Sequence, residues 1–221
     1  MRLPLDAAPH ATPHAPAPDA AALDSAVPNA WVQPDAAPDS ALRGATETTP
    51  FVGRGAEYGL LTGLIARLST GAGQTVLIEG EPGIGKSRLM REIARHAQGR
   101  GLPVLGTNCY EIDRAMPYQP VIDLVTRALD QASPAALRKM PPVSLAEIAA
   151  LVPAVTERFA NLPRLSRDFP EARQARLSRA VEQLLEATAN GRPLLLMVDD
   201  IQWADDASAQ LFHYLARHVA G

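Results

Sequence analysis

Lysine is nearly missing from this chain of 221 residues: Lys86 and Lys139 stand against nineteen arginines. Cysteine is scarcer still. The single Cys109 excludes an intramolecular disulfide and fits a reducing compartment. At the end of an apolar run it reads as a small buried residue rather than a reactive thiol. No stretch of about 18 apolar residues occurs, so no membrane-spanning helix is expected. The opening Met1-Arg2-Leu3-Pro4-Leu5-Asp6 has no apolar segment behind it, so no secretory leader is expected either. A basic excess is also lacking. The formal charge of −3 removes the electrostatic case for wholesale nucleic-acid binding. These absences together point to a cytoplasmic protein without a membrane partner.

Residues 1–49 lack apolar side chains larger than alanine in any density and hold eight prolines. Such a stretch cannot repay its ordering entropy and reads as a disordered or polyproline-like tail. His10 and His14 within it have no third ligand and do not make a metal site. Order is expected from Pro50-Phe51-Val52-Gly53-Arg54, in one domain over 50–221. Leu60, Leu61, Leu64, Ile65 and Leu68 repeat at helical spacing, which predicts a helix over 56–69 closed by Gly71-Ala72-Gly73. Thr75 to Glu79 reads as a short buried strand and the residues from Ser87 as a helix, with apolar side chains at 89, 90, 93, 94 and 97. A strand follows over 103–109. A helix carrying Val121, Leu124, Val125 and Leu129 starts at a proline-marked turn. The segment 133–169 is broken by prolines into short helical pieces. A long helix over 171–189 turns Leu177, Val181, Leu184, Leu185 and Thr188 inward and leaves Arg173, Arg176 and Arg179 to solvent. The strand 194–200 and a helix with Leu211, Phe212, Leu215 and Val219 complete the chain. Strands alternating with helices predict an α/β fold with a parallel sheet between helical layers.

Two stretches carry chemistry. Gly80-Glu81-Pro82-Gly83-Ile84-Gly85-Lys86-Ser87 fits G-x-x-x-x-G-K-[ST], the P-loop or Walker A pattern. Glycines let backbone N–H groups converge on phosphate oxygens, and the helix that follows adds the positive end of its dipole. Lys86 reaches the terminal phosphates, and the Ser87 hydroxyl can ligate Mg²⁺. The second stretch, Leu194 to Asp200, is an apolar strand ending in two acids, the Walker B pattern. Ligands of open α/β sheets bind at such strand ends. Asp199 there is the candidate Mg²⁺ partner, and Asp200 the candidate base for an attacking water. A triphosphate carries about four negative charges that must be balanced before water can approach, and Lys86, the loop amides and Mg²⁺ do that balancing.

With these residues in place, the chain resembles the AAA-type ATPase domain of the STAND class. It is most similar to the origin-recognition-complex-like modules of bacterial LuxR-type transcriptional regulators and related signalling proteins. The matching pieces are Phe51-Val52-Gly53-Arg54, Gly80 to Leu89, Pro117-Tyr118-Gln119-Pro120, and Val198-Asp199-Asp200-Ile201-Gln202-Trp203-Ala204-Asp205. The resemblance implies an ATP/ADP switch with Mg²⁺, in which Gly80, Pro82, Gly83, Ile84, Gly85, Lys86, Ser87 and Arg88 hold the nucleotide. It also implies that Val52 and Arg54 lie near its base or phosphates. Gly55 departs from the glutamate usual after Gly-Arg. Asp200 stands where other AAA enzymes carry glutamate, and its shorter side chain fits slow turnover. In the related fold a sensor strand lies between the P-loop strand and the Walker B strand. No such strand follows in this sequence, so a C-terminally incomplete sheet without sensors or lid, marginally stable alone, is expected. The leading reading is a weakly hydrolysing regulatory ATPase domain that self-associates or acts on an effector or DNA-binding domain outside these residues. Its rivals are a P-loop small-molecule kinase and a nucleotide-binding interaction module without turnover.

Overall fold

The computed structural model describes residues 51, 53–68, 71, 73–166 and 169–218. The expected tail, Val52 and Val219 lie outside the described residues. The element order is α1 (Gly55–Arg67), α2 (Lys86–Gly99), β1 (Val104–Asn108), α3 (Gln119–Gln131), α4 (Pro134–Leu137), α5 (Pro142–Leu151), α6 (Val155–Arg158), α7 (Pro170–Ala189), β2 (Leu195–Asp199) and α8 (Asp206–His218). Short 3₁₀ turns at Glu111–Ala115 and Ile201–Trp203 follow the two strands.

The sheet determines how the rest is layered. β1 and β2 pair in parallel with Val104 opposite Leu195, Gly106 opposite Met197 and Asn108 opposite Asp199. Side chains alternate across a strand, so these pairs share one face, and Leu105–Leu196 and Thr107–Val198 share the other. The packing agrees. Val104 and Met197 join Ile65, Leu89, Ile93, Ala94 and Ala97 in a small cluster with α1 and α2. Leu105 instead joins a larger cluster built from α3, α5, α7 and α8, with Leu124, Val125, Ile148, Val181, Leu184 and Leu211 fully buried. Each fully buried side chain of this size contributes about 1.5–3 kcal/mol. Most of the folding energy therefore lies on the α3/α7/α8 side of the sheet.

The helix periodicities read from sequence hold for α3, α7 and α8. Val121, Leu124, Val125 and Leu129 are buried, as are Leu177, Val181, Leu184 and Thr188, and Leu211, Phe212 and Leu215. α3 starts with Pro120 in its first turn, and α7 ends at Asn190 in the left-handed region (φ 49°). The segment 133–169 resolves into three short helices, α4 to α6.

Three expectations are corrected. The sheet has two strands among the described residues, and Thr75–Glu79 is not one of them. Val76 and Leu77 are 45% and 69% exposed, and only Ile78 packs inward, against the α1/α2 cluster. A strand exists by virtue of a ladder partner, and no described strand runs beside this segment. Its hold on the fold includes the Thr75 hydroxyl, which donates to the carbonyl of Ala216 in α8 at 3.1 Å. The apolar stripe of α1 is also thinner than expected: Ile65 is buried, whereas Leu60 is 62% exposed. α1 rests mainly on α2, and one neighbour covers only one strip of a helix. Finally, Arg176 does not belong to a solvated face. Its Nε lies 2.6 Å from Oε1 of Glu147, a buried acid of α5, and this ion pair joins α5 to α7. A carboxylate taken out of water requires such a partner.

Candidate functional site

Helix α2 returns to β1 through the tight turn Arg100–Pro103, in which Leu102 N–H donates to Ala97 O at 3.0 Å. The C-terminus of α2 therefore lies at the beginning of β1, and its N-terminus at the end of the sheet from which Asp199 emerges. The strand register adds that Asp199 is on the face covered by α2. Lys86 and Ser87, the first residues of α2, and Asp199, the last residue of β2, thus belong to the same end and the same face of the sheet.

The loop before α2 is shaped as an anion cradle. Gly85 is the N-cap of α2 in the left-handed region (φ 97°), a conformation that favours glycine, and no side chain caps the helix. The first N–H groups of α2 have no intrahelical acceptor. At Gly80 a Cβ would stand 3.1 Å from Ile84 Cγ2, so a side chain there would press into the loop. The Lys86 amine is folded over the loop and donates to the carbonyls of Gly80 at 2.9 Å and Glu81 at 3.0 Å. Arg54 closes the cradle from outside: Nη2 donates to Ile84 O at 2.5 Å, and Nη1 lies 3.5 Å from Glu57 Oε1. Arg54 Nε is also 3.8 Å from where a Gly85 Cβ would be. Arg88 turns along its own helix instead, donating to Glu92 Oε1 at 2.8 Å. Arg95, and against opposing burial Arg88, hold the Glu92 carboxyl below the usual carboxylate range.

At the end of β2, Asp199 Oδ1 accepts the N–H of Asp200 at 3.0 Å. Asp200 is left-handed (φ 53°, ψ 40°), and its carbonyl accepts the N–H of Trp203 at 2.9 Å, closing the 3₁₀ turn. Its carboxylate Oδ1 accepts from Gln202 Nε2 at 3.0 Å. Five residues further on, Asp205 caps α8 and also accepts the N–H of Tyr118 at 3.2 Å. Sequence reasoning did not single out Gln202, Tyr118 or Ser208 as site components. An Asp placed just before the apolar periodicity of α8 is an N-cap signal that could have revealed part of this network.

Cys109, just beyond β1, is buried as expected, and its N–H donates to Asp199 O at 3.0 Å. Burial first, and then the charges of Asp205, Asp200, Asp199 and Asp113, push the thiol up to about 11 from an ordinary 9.0. Between these two values the unfolded chain releases a proton that the folded chain keeps. The thiol's contribution to stability is thus intact below pH 9 and lost as pH rises toward 11. The expected result is that a thiol reagent at pH 8 labels Cys109 only after denaturant is added. Rapid labelling of the native chain would contradict the described burial.

These residues fit a magnesium nucleotide. The cradle combines an uncapped helix N-terminus with a cation, Lys86, that donates to the neutral carbonyls of Gly80 and Glu81. Among the described residues no group of three or more His, Cys, Asp or Glu is arranged to hold a metal ion. A Mg²⁺ held by one or two side chains, phosphate oxygens and water would take Ser87 and Asp199 here. His213 and His218 lie on the exposed surface of α8, and no helix among the described residues is long and apolar enough to cross a membrane.

Comparison with known proteins places the chain in a family. A curated relative, an uncharacterized protein of Rhizobium meliloti (strain 1021), is 31% identical over 184 residues, which cover 77% of this chain and 17% of the relative. The chain thus spans less than a fifth of the length of the relative it matches. No solved structure matches it. Residues 50–220 match the model of the AAA ATPase domain. On that match, spanning nearly everything after the proline-rich start, the chain belongs to the AAA ATPase domain family, an α/β P-loop fold.

Proposed function

We propose that this chain is the nucleotide-binding part of a regulatory switch that binds ATP or ADP with Mg²⁺ and hydrolyses ATP slowly. The observation that carries the reading is the placement of Lys86, Ser87 and Asp199 at one end and on one face of the sheet, beside an uncapped glycine cradle. Gly80, Pro82, Gly83, Ile84 and Gly85 supply the backbone around the phosphates, and Arg54 steadies it through Ile84 O. Lys86 exchanges two carbonyl acceptors for phosphate oxygens. Ser87 and Asp199 would hold Mg²⁺, which would offset the phosphate charge. Asp200 orients and deprotonates the water. The finer assignment is a STAND-class module of a cytoplasmic bacterial transcriptional or signalling regulator. In this assignment nucleotide state governs self-association or an effector domain elsewhere in the polypeptide.

The test is binding of a fluorescent ATP analogue to the full chain with Mg²⁺, followed by phosphate release at saturating ATP. The expected result is saturable binding with turnover below about 1 s⁻¹, slow for an enzyme. Absence of binding at millimolar Mg-ATP would refute the proposal. One observation favours a second reading, a binding module without turnover: the Asp200 carboxylate is already engaged by Gln202. Saturable binding with no phosphate release would select it.

A further inference from the structure

The turn that carries Asp200 is held at both ends. Upstream, Asp199 sits in the ladder opposite Asn108, and its carbonyl accepts Cys109 N–H at 3.0 Å. Downstream, the buried Asp205 divides its two oxygens between separate tasks. Oδ1 accepts the N–H groups of Ala207 (3.1 Å) and Ser208 (3.0 Å) and so caps α8. Oδ2 accepts the Ser208 hydroxyl and, at 3.2 Å, the N–H of Tyr118, 87 residues away in the turn before α3. The first turn of α3, which follows directly, is anchored to β1, because the Thr107 hydroxyl donates to Pro120 O at 3.0 Å in the interior. Asp200 and Tyr118 are both left-handed, with φ of 53° and 67°. A residue other than glycine stays in that region where its surroundings over-determine it. Within the stretch from Asp200 to Asp205, the bonds from Trp203 N–H to Asp200 O and from Ala204 N–H to Ile201 O fix the turn locally, and the Asp205 contacts fix its far end.

We infer that Asp205, through Oδ2 and the Tyr118 N–H, is a positioning residue that keeps Asp200 in its left-handed conformation. For activity this rests on the proposed reading of Asp200 as the water-activating base. The division between the two oxygens makes the inference testable. In Asp205→Asn the amide oxygen still caps α8, and Asn is as good an N-cap as Asp. The two capping N–H groups determine which way the amide lies. Its NH₂ then replaces Oδ2 and cannot accept from Tyr118, while the Ser208 hydroxyl can reverse and accept. Asp205→Ser likewise keeps a capping oxygen and lacks the second one, and provides the measurement should the Asn variant fold poorly.

Amide hydrogen exchange and ATP turnover are measured on the full chain of wild type and variant. The expected result is that Tyr118 and Trp203, whose N–H reports on the Asp200 turn, exchange at least about tenfold faster. Ala207 and Ser208 retain their protection. The kcat falls about tenfold with KM unchanged. Faster exchange at Tyr118 with Trp203 unaffected would overturn the inference, since the tie would then not hold the Asp200 turn. Uniform loss of protection together with a lower Tm would overturn it as well, leaving Asp205 a helix cap alone. A wild-type chain without turnover would refute the ATPase reading, and exchange at Trp203 would still decide whether Asp205 holds the turn.

Discussion

Lys86→Ala is expected to weaken ATP binding by at least about a hundredfold without unfolding the chain. Lys86 provides the ammonium at the cradle and is one of only two lysines in the protein. Its present partners, Gly80 O and Glu81 O, are neutral carbonyls. With nucleotide bound, the same amine would make charge-assisted hydrogen bonds to phosphate oxygens, each contributing about 1.5–3 kcal/mol. Two such bonds correspond to roughly 10²–10⁴ in affinity. Alanine is the best helix former and sits at the first position of α2, so the helix itself is not harmed. Titration with a fluorescent ATP analogue, with circular dichroism as the folding control, checks the outcome. Wild-type affinity in the variant would show that Lys86 does not contact phosphate.

Asp200→Asn is expected to do the opposite: binding within about twofold of wild type, and turnover reduced by roughly 10²–10⁴, the usual contribution of a positioned acid–base group. The substitution is well matched to its site. Asn tolerates the left-handed conformation as well as Asp does. Its amide oxygen can still accept from Gln202 Nε2. What disappears is the negative charge that, in the proposed mechanism, would take the proton from water. Phosphate release at saturating Mg-ATP, measured beside the binding titration, separates the two effects. Equal hydrolysis by the two proteins would remove Asp200 from the mechanism.

Much of this was legible from letters alone, for reasons that differ between elements. The stripes of α3 and α7 are local patterns whose neighbours are plentiful, so Leu124, Val125, Val181 and Leu184 are buried as their spacing implies. β1 and β2 were legible because they are apolar on both faces, and both faces are covered. The same reasoning failed for Thr75–Glu79. Val76-Leu77-Ile78 has strand composition, but a ladder partner comes from elsewhere in the chain and leaves no mark in five residues. Arg176 was misread because its acid, Glu147, is 29 positions away. In the site, the glycine loop and the acid pair announce themselves by spacing. The engagement of Arg54 with Ile84 O, of Gln202 with Asp200 and of Tyr118 with Asp205 depends on tertiary proximity and required coordinates.

The Asp205–Tyr118 contact also bears on the order in which the site is assembled. The Lys86 contacts to the loop span 5 and 6 residues, whereas the Tyr118 tie closes a span of 87. Closing a span about fifteen times longer costs roughly 2.4 kcal/mol more in chain entropy, by the logarithmic dependence on length. That cost is met only once the large α3/α5/α7/α8 cluster has condensed. The cradle is consequently expected to form early and locally, and the turn bearing Asp200 late. On the proposed roles, the capacity to hold a nucleotide and the capacity to consume it would arise at different stages of the same folding reaction.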